Sequence, residues 1–321
     1  MLKCLWVIAM TQTFNEKRYN TLHEYYQTRF GKKVFKVSLN GHFTCPNKDG
    51  TKGVGGCIFC SPLGSGDFAG DRQDSLKDQY FKIKLNMLKK WPDAYTIAYF
   101  QANTNTYKDV ETLRRLFEES LTLDPKCVGL AIATRCDALD QEKIALLNEL
   151  NQRTFLQVEL GLQTIHESTA TWMNRGHDLR CFDEAVKALR KHNIDVVVHI
   201  INGFPNETPA MMLDTINHLN HLDIQGIKIH MLHVMKNTRL GDIYQNKPFD
   251  LLSLEDYVDI VVKQLEILNP NVIVHRVTGE SPKDTLIAPE WTLKKFVVMN
   301  EIDKKMRALN THQGTRYKQT T

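Results

Sequence analysis

Residues 34–60 read VFKVSLNGHFTCPNKDGTKGVGGCIFC, and the rest of the chain is best understood outward from them. Val34–Leu39 is a short, β-branched and apolar run, too short for a helix and suited to a buried strand. It leads straight into a loop carrying Cys45, Cys57 and Cys60, which places that loop at the carboxyl end of a sheet, where barrel folds put their chemistry. Gly50, Gly53, Gly55 and Gly56 crowd the loop and Gly64 and Gly66 follow it, so the backbone can wrap closely around a compact object. Iron–sulfur clusters are held by thiolates, and three thiolates leave a fourth iron open to an outside ligand. A structural zinc site would need a fourth ligand, for which only His42 is near. A thioredoxin-like CxxC would need no third cysteine, and unrelated buried cysteines would not explain the glycines. The cluster reading accounts for every feature.

Beyond the loop the chain alternates. Short apolar runs recur at Tyr95–Phe100, Val128–Ala133, Phe155–Leu160, Val196–Ile201 and Ile227–Leu232, several apolar on both faces. Amphipathic segments separate them at Ser75–Lys89, Val110–Leu121, Gln141–Asn151, Cys181–His192 and Glu207–His221, with stripes such as Leu113, Leu116 and Phe117 at helical spacing. Six strand–helix repeats with such connections require a parallel α/β sheet. Periodicity alone leaves an open doubly wound sheet and a partial (β/α) barrel both standing. A first helix is expected over Asn15–Phe30, capped by Asn15 and ended by Gly31. Another is expected at Leu254–Leu268, followed by a seventh apolar run at Asn271–His275. From Trp291 the sequence alternates apolar and basic residues, then frays into polar sequence.

The chain has 321 residues, 42% hydrophobic and 24% charged, enough for one barrel-sized domain. A formal charge of only +4 permits a nucleic-acid partner without arguing for one. Seven scattered cysteines fit a reducing cytoplasm better than a secreted disulfide scaffold. Met1–Ala9 is apolar but too short to span a bilayer, and no membrane association is expected. Met10 opens a polar stretch that reads as the more natural start. The expected organisation is a disordered segment over 1–14, a core barrel over 15–290, and a C-terminal helical extension and tail over 291–321.

Cys45-x11-Cys57-x2-Cys60 resembles the extended cysteine motif of radical SAM enzymes, in the branch that includes the Elongator catalytic subunit. The commoner spacing in that superfamily is CxxxCxxC, from which this loop departs in the manner of that branch. The likeness continues through Val158–Gln163 with Asn174–His177, through His199–Thr208, and through Lys228–His230 with Thr238 and Leu240. Phe35–Val37, Gly64–Gly70 and Tyr99–Tyr107 add a likeness to stand-alone bacterial proteins of the YtqA/YhcC type. The resemblance implies a partial (β/α)6 TIM-like barrel with N- and C-terminal helical extensions, binding a [4Fe–4S] cluster and S-adenosylmethionine (SAM). It also implies reductive cleavage of SAM to a 5′-deoxyadenosyl radical, an external electron donor, and tRNA as partner. The implied substrate is the wobble uridine, with carboxymethylaminomethyluridine turned into aminomethyluridine.

By the same resemblance, Cys45, Cys57 and Cys60 hold the cluster and Phe59 lies beside adenine. Gln101, Asn103 and Thr104, at the end of the second strand, would support the methionine amino group. Gln163 would bind ribose. Arg175 would bind the methionine carboxylate, since a guanidinium pairs a carboxylate through two parallel bonds; the plainer alternative is a surface arginine capped by Asp178. Glu159 would contact ribose or anchor a neighbouring loop. His199 falls where a related enzyme places an acidic SAM contact, and reads equally as a satisfied core histidine. Arg135 and Asp137 are expected to face the same pocket. For RNA phosphates the candidates are Lys32, Lys33, Lys36, Lys294, Lys295, Lys304, Lys305, Arg307, Arg316 and Lys318. Tyr99, Tyr107 or Trp291 would stack a flipped base. The alternatives are radical chemistry on a small molecule or peptide, and a non-catalytic zinc-binding module.

Overall fold

Every strand of the sheet keeps an apolar outer face, and this one regularity builds the barrel. The structure, a computed structural model, describes residues 17–319. The helices α1 (Leu22–Phe30), α2 (Leu76–Leu88), α3 (Val110–Thr122), α4 (Gln141–Arg153), α6 (Leu179–Arg190) and α7 (Pro209–Leu219) alternate with strands β1 (Val34–Leu39), β2 (Tyr95–Phe100), β3 (Cys127–Thr134), β4 (Phe155–Gln163), β5 (Asp195–Asn202) and β6 (Gly226–Met231). A short helix α5 (Glu167–Trp172) is inserted after β4. The remaining elements are β7 (Val234–Met235), α8 (Arg239–Asn246), α9 (Leu254–Ile267), β8 (Ile273–Arg276), β9 (Leu286–Ala288) and α10 (Lys295–Ala308).

Seven strands run parallel in the order β1-β2-β3-β4-β5-β6-β8. A doubly wound sheet reverses its order at a switch point. This order never reverses, so the helices lie on one face and the sheet curls into a half-barrel. The open alternative closes there, and the expected six strands become seven with β8. Among the described residues no helix is long and apolar enough to cross a membrane.

The outward parity of the strands (Val37, Leu39, Ala98, Phe100, Leu130, Ile132, Val158, Leu160, Val196 and Val198 among them) packs under the helices in one large buried core. Burying each such side chain contributes about 1.5–3 kcal/mol. The inward parity is different: Lys36, Tyr99, Gln101, Glu159, His199, Lys228, His230 and His275 line the barrel cavity. The expectation of strands apolar on both faces holds at the barrel's lower end, where Ile97, Ala131 and Phe155 face inward, and fails nearer the middle. A partial barrel must leave its interior open for ligands, and polar side chains take the inward positions.

The first helix begins at Leu22, not Asn15. Thr21 caps it by accepting the Glu24 N–H, Gly31 ends it in a left-handed conformation, and Asn15 and segment 1–14 lie outside the described residues. Ahead of α1, Asn20 accepts the Val274 N–H, so this stretch runs along the free edge of β8. On α1 itself, Tyr26 and Phe30 pack with Phe155 at the barrel's lower end, where the Tyr26 hydroxyl donates to Gln157. The tail does not fray as expected. Gln313 is fully buried, accepts the Asn20 N–H and donates to the carbonyls of Asn269 and Val272, while the Arg316 N–H reaches the Glu266 carbonyl.

Candidate cluster and cofactor site

The cysteine loop occupies 40–75 without a helix or strand, and is held instead by turns and by its neighbours. Within it, the N–H groups of Lys48 and Asp49 donate to the Cys45 carbonyl and that of Cys60 to the Cys57 carbonyl. The Gly56 N–H donates to the Asn47 carbonyl and the Ile58 N–H to the Met173 carbonyl, docking the loop on the segment after α5. Asn174 donates its side-chain amide to the Gly56 carbonyl at 2.8 Å. Asn47 in turn donates to the Asn174 carbonyl at 2.6 Å and lies 3.7 Å from Cys57 Sγ. Gly176, at φ +79, permits this approach, since a Cβ there would stand 2.5 Å from Asn47 Oδ1.

Cys45, Cys57 and Cys60 line one cavity of about 570 Å³, within the usual range for a ligand site. The Cys60 thiol is brought down to about 7, first by its hydrogen bond with Cys57 and then by Lys48, while burial opposes. Cys57 is raised by that same bond and by burial, and Arg135 opposes the rise. A thiolate is the form that binds metal, and two cations beside the thiols favour it. Asn47 Oδ1 is buried without a hydrogen-bond partner. Among the described residues no group of three His, Cys, Asp or Glu side chains is drawn together around a single metal ion. A donor set of three thiols and no fourth protein ligand fits a [4Fe–4S] cluster with one open iron.

Phe59, Gln101, Asn103, Thr104, Glu159, Gln163 and His199 all line the same cavity, so seven of the eight expected cofactor residues are brought together. Phe59 packs near Phe204, ring centroids 6.3 Å apart. Gln101 donates to the Ser65 carbonyl, and the Asn103 N–H to the Gly64 carbonyl, so the end of β2 is fastened to the cysteine loop. Asn103 and Gln163 both take positive φ, at 63°. Arg135 also lines the cavity, held bidentately by Asp137 at 2.9 and 2.7 Å.

Arg175 is the exception. Its side chain is 1% exposed and outside the cavity lining. The guanidinium donates to the carbonyls of Leu162, Thr164 and His177 and to Glu167 Oε1. Neither expectation holds: it is not turned to the cofactor cavity, and it is not a surface residue. Asp178 caps α6 instead, accepting the Cys181 N–H. The guanidinium braces the turn between β4 and α6.

Glu159 lines the cavity and is held by side chains of other strands, not by a neighbouring loop. Its side chain is fully buried and is the centre of a network across five strands. Lys36 Nζ donates to Oε1 at 2.5 Å, and Lys228 Nζ (2.5 Å), the Tyr99 hydroxyl (2.7 Å) and His199 Nε2 (2.8 Å) converge on Oε2. Burial would raise the carboxyl, but Lys228 and Lys36 overcome it and hold Glu159 well below the carboxylate range. Burial pushes Lys228 down to about 7 and His199 down to about 4, so His199 is neutral at pH 7. His199 is hydrogen-bonded to Glu159 and packs on His230 with centroids 5.5 Å apart, while still lining the cavity.

The network gave a signal in the sequence. Lys36, Tyr99, Glu159, His199 and Lys228 are polar residues at inward positions of strands otherwise rich in Val, Ile and Leu. No role was read for Lys228, His230, His233 or His275.

The RNA candidates disperse. Lys36 belongs to this network, and Tyr99, 5% exposed, gives its hydroxyl to Glu159. Trp291 packs on Tyr257 and donates to the Leu252 carbonyl, outside the cavity. Tyr107 donates to Thr51. Lys295, Lys304, Lys305 and Arg316 each face an acid (Glu280, Glu301, Asp259 and Glu266). Lys33, stacked over Trp91, still lines the cavity.

Comparison with known proteins agrees with this geometry. The Radical SAM superfamily model matches residues 49–219, and the Radical SAM C-terminal domain model matches 224–308. YtqA of Bacillus subtilis is 51% identical over 93% of this chain and 92% of its own length. YhcC of Escherichia coli K12 is 34% identical over 88% and 90%. Among solved structures, the archaeal Methanocaldococcus infernus Elp3 with an N-terminal deletion shares the fold at 16% identity. Its TM-score is 0.64, with 88% of this chain and 64% of that one covered.

Proposed function

The chain belongs to the radical SAM superfamily, and on that premise we propose that it modifies the wobble uridine of tRNA, converting carboxymethylaminomethyluridine into aminomethyluridine. Its cofactors are a [4Fe–4S] cluster and SAM, and membership brings with it an electron donor and an enzymatic role in place of a passive zinc module. When bound, the cluster supplies the single electron that breaks a carbon–sulfur bond of SAM.

In this reading, Cys45, Cys57 and Cys60 are the ligands, with Lys48 favouring the thiolate at Cys60 and Arg135 opposing the rise at Cys57. Phe59 lies against adenine; Gln101, Asn103 and Thr104 hold the methionine amino group; Gln163 holds ribose. Arg175 acts on none of these directly. It holds the turn that presents Met173 and Asn174 to the cysteine loop.

The substrate assignment rests on the resemblance of the cysteine loop and strand segments to the Elongator branch. One observation carries it in the structure: a single cavity reaches from the three thiols to the network around Glu159, so cofactor and substrate can share one enclosure. Lys36 stands three residues before the end of β1, about 10 Å below the rim at a strand rise of 3.3 Å per residue. A base extruded from the anticodon could enter to that depth.

The test is anaerobic incubation with reductant, SAM and tRNA from a deletion strain. We expect 5′-deoxyadenosine to form, with carboxymethylaminomethyluridine falling as aminomethyluridine rises by nucleoside mass spectrometry. Formation of 5′-deoxyadenosine with an unchanged wobble nucleoside refutes the tRNA assignment.

A further inference from the structure

The floor of the cavity sets two lysine amines against a single carboxylate. Lys36 and Lys228 share Glu159, one on each oxygen, and Lys228, pushed down to about 7 by burial, is fully charged near neutral pH only when a second anion joins. Arg276 and Glu280 also line the cavity and face each other, and Lys295 takes Glu280 as well. Arg135 is matched by Asp137. Lys33, over Trp91, and Lys48, on the Ser61 and Pro62 carbonyls, also line the cavity, but the two lysines that share one carboxylate inside the barrel are the enclosed ones, their side chains only 13% and 10% exposed. A buried charge without a partner is costly, and it is relieved either by loss of the proton or by a bound counter-ion.

Three imidazoles stand beside those lysines with unspent nitrogens. His230, His233 and His275 line the cavity, and His230 Nε2, His233 Nε2 and His275 Nδ1 are buried without a hydrogen-bond partner. Burial holds all three rings neutral, so each offers one N–H donor and one acceptor. Gly279 makes room for two of them, since a Cβ there would lie 2.5 Å from His233 Cε1 and 3.4 Å from His230 Nδ1. Orphaned polar atoms in a buried, glycine-relieved wall mark a place a polar ligand fills.

We propose that this floor is a carboxylate subsite for the substrate, in which Lys36 and Lys228 take the anionic end of a short arm while His230, His233 and His275 meet its polar and heterocyclic parts. The proposal rests on the uridine reading for the identity of the ring, since a carboxymethylaminomethyl arm ends in such a carboxylate. The subsite itself is defined by charge alone. It selects the carboxylated substrate over the amine it becomes, and so favours release of product.

The experiment is isothermal titration of the cluster-loaded, SAM-bound enzyme with two pairs of probes. One pair is 5-carboxymethylaminomethyluridine and 5-aminomethyluridine as nucleosides. The other is N-benzylglycine and benzylamine, which keep the arm and drop the uridine. We expect the carboxylated member to bind about tenfold tighter, as one charge-assisted contact allows. The preference should vanish in Lys228→Met and Lys36→Met and survive in Lys228→Arg. A preference in the benzyl pair with no binding of either nucleoside upholds the subsite and refutes the uridine reading. Equal affinities within both pairs for the unaltered enzyme overturn the subsite whatever the variants do, as does a preference that outlasts both methionine substitutions. SAM is titrated separately. A loss of SAM affinity in Lys228→Met matching the loss for the carboxylated probe would assign the lysines to methionine's carboxylate and overturn the proposal.

Discussion

Arg175→Met separates two tasks a buried arginine can have. The guanidinium serves the carbonyls of Leu162, Thr164 and His177, of which Leu162 keeps a second donor in the Thr164 N–H. Removing it strands two carbonyls, and a buried unsatisfied group costs about 1–3 kcal/mol. The contact with Glu167 adds little, because that carboxylate is 52% exposed. Methionine restores part of the volume, and the cost of burying a cation, seen in the lowered pKa of Arg175, is relieved. The net loss should be about 3 kcal/mol, a large share of the 5–15 kcal/mol that holds an ordinary domain together.

Urea unfolding of the cluster-free protein under nitrogen measures that loss. Titration of the loaded protein with SAM measures the other possibility. If the side chain only braces the turn, SAM affinity should change a few-fold at most, through looser docking of Asn174 on the cysteine loop. A direct ion pair with methionine's carboxylate would instead cost about 2–5 kcal/mol, some thirtyfold or more. Stability within about 1 kcal/mol of the parent, together with a hundredfold loss in SAM affinity, would refute the bracing role.

Other substitutions probe the loop and the floor. Cys57→Ala should abolish the iron-linked absorbance and 5′-deoxyadenosine formation while far-ultraviolet circular dichroism stays that of the parent; global unfolding would mean the loop is structural. Glu159→Gln should cost about 3–5 kcal/mol by leaving Lys36 and Lys228 without a buried partner. Adding Lys228→Met should recover part of that loss, and strict additivity in the double-mutant cycle would refute the coupling. His199 and His233, held down to about 4 by burial, bind fewer protons when folded than when unfolded between about 4 and 6.5. Stability therefore rises with pH across that window. Acidifying from 6.5 to 4 should remove up to about 3 kcal/mol for each histidine, read as a falling urea midpoint. A flat midpoint would mean the rings are solvated.

How much of this was legible depended on how far apart along the chain the cooperating residues lie. Cys45, Cys57 and Cys60 share one loop with its glycines, so spacing alone pointed to a cluster. Strands and helices followed local periodicity, and Ser75, Asp109, Asp140, Asp178, Thr208 and Ser253 cap α2, α3, α4, α6, α7 and α9. Glu159 gave no such signal. Its partners are Lys36, Tyr99, His199 and Lys228, separated from it by 123, 60, 40 and 69 positions. Only the curl of the sheet brings them together. Gln313 was unreadable for the same reason, since its partners Asn20 and Val272 come from the start of the fold and from the residue just before the last barrel strand.

The two parities of each strand answer to different demands, and this explains which expectations failed. Outward residues meet helices that any barrel of this kind must pack, so their apolar character follows from the fold. Inward residues meet a cavity, where nothing in the fold requires Lys228 to be lysine or His275 to be histidine. A buried cation there is a net cost to stability unless something is bound against it. Reading the inward positions as spare core therefore misses the part of the protein that chooses its substrate. An outward Val198→Lys should unfold the barrel. An inward Lys228→Met, once Glu159 is neutralised, should leave it folded but indifferent to the charge of what enters.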